Sequence, residues 1–159
     1  MGDSDNRQSV EILTDAMPLL PLAYEWEVES KGDAFGLVTD PQYLMIDIMR
    51  KMNSPNSVVL GLMVEGRAGG FTTLSKFQSP LGPQMIAEEH YWFVGKDYRG
   101  IGSLRLLKAA EKWAEVQGCS HLLLSASMLA SDLHDRVCKL YEKRGGSKFE
   151  TTYIIKIDR

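Results

Sequence analysis

A chain of 159 residues with 44% hydrophobic and 25% charged residues is long enough for one compact domain, and its composition argues against a disordered, collagen-like or fibrous chain. The net charge of −3 is unevenly spread: residues 1–50 hold ten acids and three bases, residues 51–159 eleven acids and fifteen bases. No concentrated basic stripe points to nucleic acid, and no run of eighteen apolar residues points to a membrane-spanning helix.

The first five residues, MGDSD, are polar and acidic, without the basic start and apolar core of a secretory signal, so a cytoplasmic protein is expected. Cys119 and Cys138 have no second Cys or His at metal-ligand spacing and are expected as reduced thiols. With no repeat and no long linker, the chain is expected to form a single domain over residues 1–159.

Residues 11–29 carry apolar positions at helical spacing, disturbed by Pro18 and Pro21, which predicts a kinked or split helix. Asp40 and Pro41 supply a cap and a first helical residue for a second helix, with Leu44, Ile48 and Met52 on its buried stripe. Residues 57–64, a turn at 65–68 and residues 69–75 predict a β-hairpin. A Pro- and Gly-bearing loop at 78–84 leads to a strand at 85–94. Then follow a helix over 103–117, a strand over 121–127, a helix over 132–144 and a closing strand over 148–157. This order predicts a mixed α/β fold: a central, mainly antiparallel sheet flanked by helices and finished with crossovers. Ligands bind such sheets at the carboxyl ends of strands, which draws attention to the turn after Val94.

That turn, Gly95-Lys96-Asp97-Tyr98-Arg99-Gly100-Ile101-Gly102-Ser103, runs from a strand into a helix. Free amides at a helix start attract anions, Gly100 and Gly102 allow close approach, and Arg99 adds a charge able to fork onto phosphate. A Walker A loop is excluded because no Gly-Lys-Ser/Thr follows, and the third glycine of a dinucleotide fingerprint is missing.

The wider pattern YWFVGKDYRGIG, then LLKAAEKWA, then LYEKRGG resembles the GNAT (Gcn5-related N-acetyltransferase) family over roughly residues 57–157. The resemblance implies an acyl-CoA-dependent N-acyltransferase with acetyl-CoA as donor and a primary amine as acceptor. It implies that Phe93, Val94 and Gly95 offer main-chain hydrogen bonds to the pantetheine arm. The pyrophosphate would lie on the amides of Gly100, Ile101, Gly102 and Ser103, with Arg99 at the leading basic position. Tyr141 matches the general acid that protonates the departing thiolate.

For the general base, the family position and a shared strand face with residues 90, 92 and 94 imply Glu88, followed by His90 and then Glu89; a bulge in the strand would shift this assignment. The acidic amino-terminal part suits a cationic acceptor, and a homodimer is common among relatives. Leu104 departs from the pattern, standing where the family carries a small residue in a loop one residue longer. Residues 108–114 and 151–156 are also similar to GNAT-like proteins encoded by bacteriophages. The alternative to an enzyme is therefore a GNAT-like binding or structural protein without catalysis.

Overall fold

The structure is a computed structural model that describes residues 7–129 and 133–157; the amino-terminal segment and the expected helix start at Asp132 lie outside them. Its elements in chain order are β1 (Gln8–Ile12), α1 (Leu20–Glu29), α2 (Pro41–Met52), β2 (Ser57–Val64), β3 (Arg67–Gln78), β4 (Met85–Val94), α3 (Ile101–Val116), β5 (His121–Leu123) and α4 (His134–Lys143). The five strands form one sheet in the order β1-β2-β3-β4-β5, antiparallel up to β4 and parallel between β4 and β5.

Alternation along the strands sends side chains to two different cores. On one face α1 and α2 bring Leu22, Ala23, Met45 and Ile48 against Val59, Phe71 and Phe93. On the other, α3 packs Leu106 and Ala110 on Leu60, Leu62, Leu74 and Val94. Each such large apolar side chain contributes about 1.5–3 kcal/mol by leaving water. With both faces covered, residues 69–74 of β3 are buried without a break.

Local signals explain the element boundaries. The Asp40 carboxylate accepts from the Gln42 amide at 2.8 Å, and Pro41, which has no amide hydrogen to place, opens α2. The hairpin between β2 and β3 closes in two residues, Glu65 (φ 51°) and Gly66 (φ 79°), a left-handed pair whose twist matches the strands.

Three expectations are corrected. Residues 11–29 are not one kinked helix: β1 ends at Ile12, a short 3-10 turn spans Met17–Leu19, and α1 starts at Leu20. Pro18 and Pro21 sit in the first turns of those two segments, where a missing N–H costs nothing, so they initiate and do not kink. The strand expected over 121–127 stops at Leu123, and residues 148–157 form no strand among the described residues. No helix of the described residues is long and apolar enough to cross a membrane.

Candidate functional site

Among the described residues β4 and β5 pair through Ile86–His121, Ala87–Leu122 and Glu88–Leu123, and beyond that point, where β5 ends, the chain parts from β4. A second irregularity lies on the other side of β4. Thr73 faces Tyr91 while Leu74 faces Glu89, so His90 is an extra residue bulged out of the ladder. The bulge reverses the alternation. Trp92 and Val94 therefore share the α3 face with Glu89, and the expectation that residues 88, 90, 92 and 94 share one face is overturned. Alternation puts Glu88 on the opposite face. His90 lies near Asp47 and Lys51 of α2; the residue as a whole is exposed, but partial desolvation of its ring, followed by the Lys51 charge, lowers its pKa.

Glu89 is buried at 7% exposure where the strands diverge. Its carboxylate accepts from the Ser125 amide at 3.1 Å. Burial pushes its pKa up to about 7, the charge of Glu88 adds to the rise, and the Ser125 N–H opposes it. The Tyr141 hydroxyl of α4 donates to the carbonyl oxygen of the same residue, Ser125, also at 3.1 Å. One peptide segment after β5 thus holds a carboxyl group and a phenol through its two main-chain polar groups. The Tyr141 ring stacks on Trp92 with centroids 5.7 Å apart. Its pKa is raised by burial first and then by the charges of Glu89 and Cys138, so it stays protonated. Glu89 and Trp92 border one small gap with Thr72, Leu106, Leu107, Ala110 and Leu124, and the Trp92 indole N–H is buried with no partner.

The turn after β4 is tied at its base by Gly95 N–H donating to Gly69 O at 2.9 Å. Gly100 then takes φ +90°, a region side chains avoid, and a Cβ there would meet nothing within 4 Å, so conformation and not space requires the glycine. The first backbone bond of α3 runs from Leu104 N–H to Gly100 O, leaving the amides of Ile101, Gly102 and Ser103 ahead of the helical ladder. Gly102 serves packing: a Cβ there would lie 2.6 Å from Leu62 Cδ2.

Arg99 does not extend from this turn as a free charge. Its Nε donates to Val94 O at 2.9 Å, a terminal nitrogen pairs with Glu29 of α1 at 2.5 Å, and the guanidinium lies over the Phe93 ring. The Phe93 side chain is itself core, stacked on Trp26 at 5.3 Å. The structure brings together Glu89, Trp92 and Tyr141, and keeps Glu88 and His90 away from them. Sequence reasoning missed Glu29, which carried no motif signal. Ser125, expected from its place after the strand to orient substrate or pantetheine, acts here through its main chain, which no side-chain pattern reports. Among the described residues, no group of three or more His, Cys, Asp or Glu is placed to hold a metal ion.

The sequence matches the acetyltransferase (GNAT) family over residues 20–146. In fold the chain is similar to a ribosomal-protein-alanine N-acetyltransferase from Brucella melitensis biovar Abortus 2308, with TM-score 0.71 and 20% identity over 95% of this chain and 99% of that one. It is also similar to an integron cassette protein from V. cholerae, with TM-score 0.69 and 18% identity over 96% and 93% of the two chains. An aminoglycoside acetyltransferase from an uncultured soil metagenomic sample, solved with sisomicin, has TM-score 0.66 and 15% identity over 98% and 100%. At these identities the likeness is one of fold. No curated protein sequence matches the chain.

Proposed function

The chain belongs to the acetyltransferase (GNAT) family, and from that footing we propose that it moves an acetyl group from acetyl-CoA to a primary amine by direct attack in a ternary complex. The observation that carries this reading is the pair of hydrogen bonds by which Ser125 N–H and C=O hold Glu89 and Tyr141 where β4 and β5 part. A carboxyl group with a pKa of about 7 suits a base, and a phenol kept protonated suits an acid.

In this scheme Glu89 takes one proton from the substrate ammonium. The free amine attacks the thioester carbonyl, the C–S bond breaks, and the sulfur takes the Tyr141 proton. The phenolate regains a proton from the nitrogen, which becomes the amide. Glu88 and His90, the first two candidates by sequence, fit less well because they stand on the other face or in the exposed bulge.

For the donor, the amides of Gly100, Ile101, Gly102 and Ser103 suit a diphosphate, and the parted edge of β4 at Phe93 and Val94 suits the pantetheine arm. Arg99 would join only by leaving Glu29. The unpaired indole N–H of Trp92 is a further donor in want of an acceptor beside Glu89. Acidic residues in the first fifty favour a cationic amine. A cytoplasmic location suits two unpaired thiols, Cys119 and Cys138.

The test is release of CoA with a panel of polyamines, aminoglycosides and peptides bearing free amino termini. Tyr141→Phe and Glu89→Gln should each lower kcat by about 10²–10⁴-fold, while Glu88→Gln and His90→Gln stay within a few-fold of the parent. The parent rate should rise with pH through about 7 as Glu89 ionises. Equal rates in all five proteins would remove this assignment. A second reading, a GNAT-like binding protein without catalysis, is favoured by the engagement of Arg99 with Glu29 and Val94 O. Titration calorimetry with CoA decides it, since a chain that binds no CoA cannot be the enzyme.

A further inference from the structure

α1 ends at Glu29, and the residue that caps it, Ser30, gives its amide to Trp26 O at 2.8 Å. The Ser30 hydroxyl makes a different set of bonds. Ser30 Oγ lies 3.1 Å from Leu129 O, far along the chain, 2.5 Å from Thr39 Oγ1 and 3.2 Å from the Gly32 amide nitrogen. A serine hydroxyl has one proton to give and two lone pairs to receive with. A carbonyl oxygen only accepts, so the Ser30 proton goes to Leu129 O, and Thr39 must donate to Ser30 Oγ alongside the Gly32 N–H. Every capacity of the hydroxyl is then used, and its direction is fixed. The Lys31 N–H donates to the same Leu129 oxygen at 3.0 Å.

Leu129 lies at the far end of the segment in which Ser125 holds Glu89 and Tyr141. Residues 124–127 belong to no strand or helix, and 128–129 form a turn in which the Leu129 amide donates to Ser127 Oγ at 3.1 Å. With no ladder to hold it, the segment takes its place from individual bonds. At one end Ser125 is bonded to Glu89 and Tyr141; at the other Leu129 is bonded to Ser30 and Lys31. Ser30 and Thr39 are half-buried, so water does not fully replace a bond lost there. Glu29, the residue before Ser30, is the partner of Arg99. Two consecutive residues at the end of α1 thus reach the glycine turn and the segment that holds the carboxyl group and the phenol.

We infer that Ser30 is a positioning residue for the acid and the base: through Leu129 O it fixes the far end of residues 125–129, and so keeps the Ser125 amide and carbonyl within reach of Glu89 and Tyr141. The inference rests on the acetyl-transfer reading of that pair and adds to it a residue that acts through the main chain. Loss of the hydroxyl leaves Leu129 O one donor in place of two and lets the Ser125 N–H draw away from Glu89. That N–H opposes the rise in pKa that burial imposes on Glu89, so a looser segment raises the pKa further. The titratable groups that act on Glu89 from its own strand and from α4, Glu88 and Tyr141, are untouched by the change, and α3 faces the same gap with Leu106, Leu107 and Ala110.

The test compares the full-length parent, Ser30→Ala and Ser30→Thr, each first checked by thermal melting to be folded at the assay temperature. Ser30→Ala should lower kcat by about 10-fold or more, while KM for acetyl-CoA and the calorimetric Kd for CoA stay within about 2-fold, because the amides of the glycine turn are unchanged. Ser30→Thr keeps a hydroxyl and should recover most of the loss. Carbon-13 NMR of the glutamate carboxyl groups, with Glu89→Gln identifying the resonance, should show the proton affinity of Glu89 raised about threefold or more in Ser30→Ala and close to the parent in Ser30→Thr. This measurement needs no turnover. A parent that releases no CoA with any amine removes the acetyl-transfer reading, and the NMR comparison still decides whether Ser30 holds the segment against Glu89. If Ser30→Ala does not fold, Thr39→Val, which takes away the proton that orients Ser30 Oγ, should give the same two changes at smaller size. An unmoved Glu89 resonance in Ser30→Ala, a loss confined to KM, or equal defects in Ser30→Ala and Ser30→Thr would each overturn the inference.

Discussion

Glu89 ties function to stability through one proton. The folded chain keeps that proton up to about pH 7, while an ordinary glutamate releases it near 4.5. The folded state therefore binds more protons across this window. The stabilisation is complete below about 4.5 and is lost as pH rises towards 7, when the buried carboxyl must ionise. At about 1.4 kcal/mol for each tenfold change in proton affinity, the difference is roughly 3 kcal/mol. Glu89→Gln keeps an acceptor for the Ser125 amide and has no proton to lose. Urea titrations at pH 4.5 and 7.5 should then show the parent losing stability relative to the variant by up to that amount. Parallel curves would mean that Glu89 is not buried as described.

Among the elements, α1 and the turn after β4 are joined by Arg99. The Glu29 side chain is 10% exposed and the Arg99 side chain 28%, so the pair is shielded from water on the Glu29 side, and breaking it leaves a polar group poorly solvated. Glu29→Gln should lower unfolding stability by about 1–2 kcal/mol. The same change removes the negative charge that holds the guanidinium at the mouth of the turn, leaving only neutral acceptors, so CoA affinity by calorimetry should rise as stability falls. A variant that loses stability with no gain in affinity would confine Arg99 to a structural role. Gly102 works at the same scale. Its missing Cβ lets α3 press on Leu62, which sets the height of the free amides over the sheet. Helix packing and the expected anion cradle therefore depend on one residue.

At the scale of the whole molecule, β3 lies in the middle of the five-stranded sheet and serves both cores. Phe71 is fully buried on the α1–α2 side and Leu74 on the α3 side. Phe71→Ala should cost about 3–5 kcal/mol, by lost transfer energy and the cavity left behind, whereas Ile12→Ala at the exposed end of β1 should cost under about 1 kcal/mol. Thermal melts of the two variants check the contrast, and similar losses would mean that the sheet edge is as tightly packed as its centre.

Local chemistry was legible from residues alone: the Asp40–Pro41 helix start, the apolar stripes of α2 and α3, the hairpin and the glycine turn all depend on contacts a few residues apart, and the mixed sheet was legible from the order of the elements. Trp92 was legible as a neighbour of a site from its place at a strand end, whereas Tyr141 was named through the family resemblance and not through contacts of its own. Tertiary structure decided the rest. The bulge at His90 exists only because β4 pairs with β3, and it moves Glu89 to the interior in place of Glu88. Arg99 meets a glutamate seventy residues earlier, a distance that no periodicity spans. Residues 148–157 have the alternation of a strand but not its pairing, because a strand needs an edge to bond to, and the sequence of one chain does not say where that edge lies.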